Sequence, residues 1–88
     1  MISRDFVILA PQGMHARPAA ILLKLAKQFR SEIDLKKDGK QVPLKSMLNI
    51  LACSIKCGDT VSVIIHGEDE ADAALAMENF FTRDLQNL

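Results

Sequence analysis

Pro43 restricts the sheet of this chain more tightly than any other residue. The dipeptide Asp38-Gly39 separates two alternating stretches, Glu32-Ile33-Asp34-Leu35-Lys36 and Gln41-Val42-Pro43-Leu44. An Asp-Gly pair flanked in this way predicts a hairpin closed by a tight turn. Proline has no amide hydrogen to give to a ladder, so the second arm, the third strand of the chain, belongs at a sheet edge with position 43 facing away from its only neighbour.

The remaining elements are read outward from that hairpin. Phe6-Val7-Ile8-Leu9 predicts a first strand, ended by the loop Ala10-Pro11-Gln12-Gly13. From Ala16 to Arg30 the apolar residues Ala19, Leu22, Leu25, Ala26 and Phe29 recur at helical spacing, leaving Lys24, Lys27, Gln28 and Arg30 for solvent. Pro18 lies in the first turn, where a missing amide hydrogen costs nothing, so this helix begins near His15. Ser46 is an N-cap for a short helix from Met47 to about Ser54, followed by a turn at Gly58-Asp59. Thr60 to His66 predicts a fourth strand with Val61, Val63 and Ile65 on one side. A last helix starts after Gly67, has Glu68, Asp69, Glu70 and Asp72 near its positive end, and runs to about Leu85 with Ala74, Met77, Phe81 and Leu85 as its buried stripe. The order βαββαβα predicts an α+β domain spanning residues 1–88, with three helices on one face of a four-stranded, mainly antiparallel sheet. Two topologies share this core; the ferredoxin-like one puts strand three inside the sheet, and Pro43 favours the one that puts it at the edge.

Composition excludes several classes. The 88 residues are 49% apolar with only four Phe, so the core is aliphatic and folding buries about 60% of the unfolded surface. The longest apolar run, Met47 to Ile55, is broken by Asn49 and Ser54 and falls far short of the roughly 20 residues that a bilayer requires. The start Met1-Ile2-Ser3-Arg4-Asp5 lacks the basic and apolar regions of a secretory signal, and a cytoplasmic protein is expected. Charges cancel at 11 against 11, which argues against a nucleic-acid binder. The balance hides an asymmetry: residues 1–45 hold nine Lys or Arg against four acids, residues 46–88 two against seven. The basic half can steer an anionic partner, or Lys36, Lys37, Lys40 and Lys45 simply keep the hairpin soluble. Cys53 and Cys57 have a ligand-like spacing, but nothing completes a metal set; they read as buried or half-buried small apolar residues, and no metal or cofactor is expected. His66, at the end of strand four, reads as a surface residue.

The chemistry concentrates in Gly13-Met14-His15-Ala16-Arg17-Pro18-Ala19, at a strand-to-helix junction. Gly13 permits a sharp entry and His15 falls at the N-cap. The amides of Ala16 and Arg17 have no intrahelical acceptor and can bind an anion, to which Arg17 adds a guanidinium. A ring nitrogen beside a phosphate-sized anion site suits phosphoryl transfer, performed by positioning and charge stabilisation alone.

That heptad resembles the active-site signature of the HPr family, the phosphocarriers of the bacterial phosphoenolpyruvate:sugar phosphotransferase system. Length, element order, Lys45-Ser46-Met47, Gly58-Asp59 and the acidic start of the last helix fit the family as well. The resemblance implies an open-faced β-sandwich with sheet order 1-4-2-3. It implies that His15 accepts a phosphoryl group on Nδ1 from phosphorylated enzyme I and passes it to an enzyme IIA domain, with Arg17 pairing the group in transit. The chain would then be a carrier, not an enzyme, and a monomer. The serine matching Ser46 is phosphorylated by HPr kinase/phosphorylase in Gram-positive members, which weakens transfer through the histidine.

The short helix is apolar around more of its circumference than one buried stripe needs. Met47, Leu48 and Leu51 are therefore assigned to a partner-docking surface and Ile50 and Ile55 to the core. Lys24 and Lys27 would ring that surface with positive charge. Gln12, where the family commonly has Asn or Ser, and Asn49 and Leu51 in the docking helix depart from the usual pattern. Two readings of other classes remain: a regulatory module of the same fold that binds kinases or transcription factors without sugar flux, against which the intact His15-Ala16-Arg17 argues, and a metal-carrying ferredoxin-like domain resting on the two cysteines.

Overall fold

A computed structural model describes all residues, Met1–Leu88. Four strands, β1 (Ile2–Val7), β2 (Glu32–Lys37), β3 (Lys40–Pro43) and β4 (Thr60–His66), and three α-helices, α1 (Ala16–Ala26), α2 (Met47–Ala52) and α3 (Glu70–Asn79), follow one another as β1-α1-β2-β3-α2-β4-α3. The sheet order is β1-β4-β2-β3, and all three pairings are antiparallel. Pro43 lies opposite Asp34 on the edge strand. Leu44 donates its amide to the Ile33 carbonyl at 2.9 Å, and because successive amides in a strand point to opposite sides, the nitrogen of Pro43 is turned outward, where no hydrogen is needed.

One face of the sheet holds Phe6, Ile33, Leu35, Val42, Val61, Val63 and Ile65, all buried under the helices, while Ser3, Asp5, Ser62 and Lys36 occupy the uncovered face. This alternation is the period-two pattern of a half-buried antiparallel sheet. α1 contributes Ala19, Leu22 and Ala26, α2 contributes Ile50, and α3 contributes Ala73, Ala74 and Met77.

Several boundaries differ from the sequence reading. β1 begins at Ile2, four residues earlier than expected, because the polar triplet Ser3-Arg4-Asp5 lies on an edge strand where exposure costs nothing. Ile8 and Leu9 have left the strand, although Ile8 stays fully buried. α1 ends at Ala26; the amides of Gln28 and Phe29 return to Leu25 and Ala26, closing tighter turns before Arg30. α2 stops at Ala52. The last helix changes form after Asn79 into a π-helical turn at Phe80–Asp84 and a 3-10 turn at Leu85–Asn87. The wider π turn lets adjacent Phe80 and Phe81 both point inward, 1% exposed each, with Phe81 stacked on Phe6 at 5.1 Å.

The start of α3 is tied to the start of β2 through Asp69. Its carboxylate accepts from the amides of Arg30 and Ser31, both at 2.9 Å, and from the Ser31 hydroxyl. The Ser31 hydroxyl first, then the Arg30 amide, hold this carboxyl below the ordinary range. Asp59 is lowered chiefly by its hydrogen bond from Lys37 and next by the Lys56 amide, and Glu70 chiefly by the N-terminal amine. A carboxyl with a depressed folded-state pKa stabilises the fold at pH values above its unfolded value and loses that contribution as pH falls through the folded value. The melting temperature should therefore be flat above about pH 5 and decline from the ordinary carboxylate range, ~3.9–4.3, downward. Thermal unfolding followed from pH 7 to pH 2 checks this, and Asp69→Asn should flatten the acid limb.

Candidate functional site

The site is built where the loop after β1 enters α1. Gly13 is buried at φ +64°, in the left-handed region that a side chain disfavours. A Cβ there would collide with the Ile55 carbonyl oxygen and lie 2.9 Å from Lys56 Cα. The loop is fastened to the 55–59 segment on both sides of this contact. Met14 donates its amide to the Ile55 carbonyl at 3.0 Å, Ile8 donates to Asp59 at 2.8 Å, and Gly58 donates back to Ile8 at 2.7 Å. Met14 itself is buried.

This anchored backbone delivers His15 as the N-cap of α1, in an extended conformation at φ −93°, ψ −175°. An N-cap side chain commonly accepts from the first amides of its helix; the imidazole of His15 makes no such bond and stands half-exposed. The amides of Ala16 and Arg17 accordingly donate to no protein acceptor. Pro18 follows them, buried, and its ring fixes the backbone at the helix start without adding an orphan donor. Arg17 is exposed and forms no ion pair with any carboxylate. Two free backbone donors, the positive end of an 11-residue helix and an uncommitted guanidinium thus follow a half-exposed imidazole within two residues of chain. Such a set can hold a dianion next to the ring without any metal; no cluster of three or more metal-ligating side chains exists in the chain.

The other residues singled out from the sequence lie on α1, α2 and the segments before and after them. Ser46 caps α2, its hydroxyl accepting from the Asn49 amide at a long 3.5 Å. Ser46→Ala should therefore cost about 0.5–1 kcal/mol, a drop of a few degrees in melting temperature measurable by calorimetry. Leu48 is 79% exposed and Leu51 38%, Met47 is half-buried against the core, and Ile50 and Ile55 are buried. Lys24 and Lys27 are exposed, but they sit at the far end of α1, about 13 and 18 Å along the axis from His15 at 1.5 Å per residue. Gln12 is exposed and its side chain makes no hydrogen bond. Cys53 is buried as expected, whereas Cys57, expected to be at least half-buried, is exposed on the turn before β4; His66 is exposed.

Lys37 does not behave as a hairpin-solubilising lysine. Its side chain is only 11% exposed and its ammonium reaches the carbonyls of Cys53 and Ser54 and the carboxylate of Asp59. Nothing in the sequence marks it apart from Lys36 beside it, except that position 37 falls on the opposite face of the strand from Lys36.

Comparison with known proteins gives a consistent picture. Residues 2–83 match the family model described as the PTS HPr component phosphorylation site. The chain is 37% identical over 82 residues to the phosphocarrier protein HPr of Buchnera aphidicola subsp. Baizongia pistaciae, covering 93% of this chain and 96% of the relative. It is 34% identical over 84 residues to the HPr-like protein Crh of Halalkalibacterium halodurans, covering 96% and 100%. Among solved structures, HPr-C-His from Thermoanaerobacter tengcongensis superposes with a TM-score of 0.91 at 32% identity, covering 97% of this chain and 96% of that one. A swapped-domain dimer of Crh from Bacillus subtilis superposes at 0.75 with 30% identity, covering 97% and 98%, so a relative of this fold is a dimer where the sequence reading expects a monomer for this chain.

Proposed function

The chain belongs to the HPr family of the phosphotransferase system, and from that premise we propose that it is a phosphocarrier which accepts a phosphoryl group on His15 from phosphorylated enzyme I and passes it to enzyme IIA domains. The observation that carries this reading is the unsatisfied junction at the start of α1: a half-exposed imidazole whose side chain caps nothing, followed by two amides without acceptors. In the carrier cycle the Nδ1 lone pair attacks phosphorus, the bond from phosphorus to its donor atom on enzyme I breaks with its electron pair leaving to that atom, and the phosphoramidate that results is held by Ala16 N–H, Arg17 N–H and the Arg17 guanidinium. The next acceptor reverses the sequence. The protein supplies alignment and charge and is itself regenerated, so it acts as a relay between enzymes.

Docking falls to the surface around the site. Leu48 and Leu51 offer exposed apolar area on α2, Met47 adds a half-buried edge, and Lys24 and Lys27 extend the positive charge toward acidic partner surfaces. Phosphorylation of Ser46 by HPr kinase/phosphorylase would add a dianion at this edge and repel the same acidic surfaces. The reading as a purely regulatory module gains support from the similarity to Crh, while the complete His15-Ala16-Arg17 set favours the carrier. The two are separated by incubating the protein with phosphoenolpyruvate, enzyme I and an enzyme IIA domain. A carrier acquires an acid-labile, alkali-stable phosphoryl group and loses it to enzyme IIA; a regulatory module acquires none.

A further inference from the structure

We propose that Lys37 is a positioning residue for this transfer: its ammonium pins both ends of the segment Cys53–Asp59, and that segment holds the backbone from which His15 projects. The consequence for transfer rests on the carrier reading above, while the structural link does not.

An ammonium group has three hydrogens to donate, and here each has an acceptor: the Cys53 carbonyl at 3.1 Å, the Ser54 carbonyl at 2.6 Å and the Asp59 carboxylate at 2.8 Å. The side chain reaches them from the end of β2 and is itself only 11% exposed, although Ser54 is exposed and Asp59 stays 30% exposed. Its two carbonyl partners belong to the C-cap of α2, Cys53, and to the residue that follows it, Ser54. Ser54 sits at φ +51°, a left-handed conformation that costs a residue with a Cβ and that glycine usually supplies at a helix end. The grip on its carbonyl compensates for a backbone that would otherwise relax.

From there the connection to the reactive residue is short. Ile55, next to Ser54, accepts the Met14 amide, and its carbonyl packs against Gly13. At the other end, Asp59 also accepts from the Lys56 amide at 2.8 Å, and its backbone exchanges hydrogen bonds with the Ile8 region together with Gly58. Met14 precedes His15. Removing Lys37 leaves two carbonyls without their donor and the Asp59 carboxylate with the Lys56 amide alone, and it frees the strained turn, so the loop loses part of its fixed base.

The test compares wild type, Lys37→Met, and Lys37→Met combined with Ser54→Gly, by amide hydrogen exchange and by the rate of His15 phosphorylation at a temperature where each is folded. Exchange at Met14 should quicken at least ~10-fold in Lys37→Met beyond any change at the amides of central strand β4, which report global opening. Phosphorylation by enzyme I should slow ~10-fold, in kcat and with KM unchanged, as misplacement of a reacting group predicts. Ser54→Gly should restore at least a threefold part of the loss, since glycine bears that conformation unaided. The proposal is overturned if Lys37→Met keeps Met14 protection relative to β4 and transfers within twofold of wild type, or if glycine at position 54 restores nothing. Should Lys37→Met not fold, Asp59→Asn takes its place, with the same pattern in support and unchanged Met14 exchange against. If wild type accepts no phosphoryl group, the carrier reading fails, and Met14 exchange alone decides whether Lys37 holds the loop.

Discussion

His15→Ala is expected to take up no phosphoryl group from phosphoenolpyruvate and enzyme I, while its stability stays within about 0.5 kcal/mol of the wild type. The two halves of this expectation have separate causes. The imidazole is the one nucleophilic side chain at the junction, and its removal leaves the anion site with nothing to form the new bond. The fold is indifferent because the ring is half-exposed and its side chain makes no capping bond. Arg17→Ala is the informative companion: the nucleophile stays, but one donor to the transferred group is gone, and loss of such a donor costs about 100-fold in rate. Quench-flow labelling with acid and alkali stability of the product measures both variants. Residual alkali-stable label on His15→Ala would place the modification elsewhere.

Gly13→Ala should damage both stability and transfer. The left-handed backbone costs a side chain about 1–2 kcal/mol, and the added carbon strikes the Ile55 carbonyl, which cannot move away because it holds the Met14 amide. Together these amount to about 2–4 kcal/mol, and each kcal/mol is about 4–8 °C for a domain of this size. If the loop instead yields, Met14 shifts and carries His15 out of line, so the folded fraction should transfer about 10–100 times more slowly. Chemical denaturation and single-turnover phosphorylation of the same sample separate the two effects. Alanine at Gly39, where an added Cβ meets nothing within 4 Å, controls for the conformational cost alone and should leave transfer untouched.

Much of this arrangement is legible in the residues because local chemistry and global fold agree there. Pro43 identifies the edge strand, Asp38-Gly39 closes the hairpin, and the pair His15 and Pro18 marks the helix start, since each choice has one physical reading. Boundaries were lost where tertiary contacts overrode local pattern. The polar start of β1 is held by pairing of Ser3 with Ile64 and Asp5 with Ser62, which no periodicity reveals. Phe80 escapes a stripe drawn at 3.6 residues per turn because the π turn changes the period just where it lies. Lys37 was invisible for a deeper reason: its value depends on three acceptors contributed by residues 53, 54 and 59, brought to it only by the fold. Within the site, the amides of Ala16 and Arg17 could be anticipated from helix geometry alone, whereas the anchoring of Met14 on Ile55 could not.

The proposed carrier role requires those two amides to take the charge that the imidazole acquires. Recording 1H–15N spectra of the uniformly labelled protein before and after phosphorylation tests it most directly. The Ala16 and Arg17 amide protons should move strongly downfield, as new charge-assisted hydrogen bonds require, while the amides of β2 and β3 stay in place. Phosphorylation that leaves those two resonances where they were would contradict it.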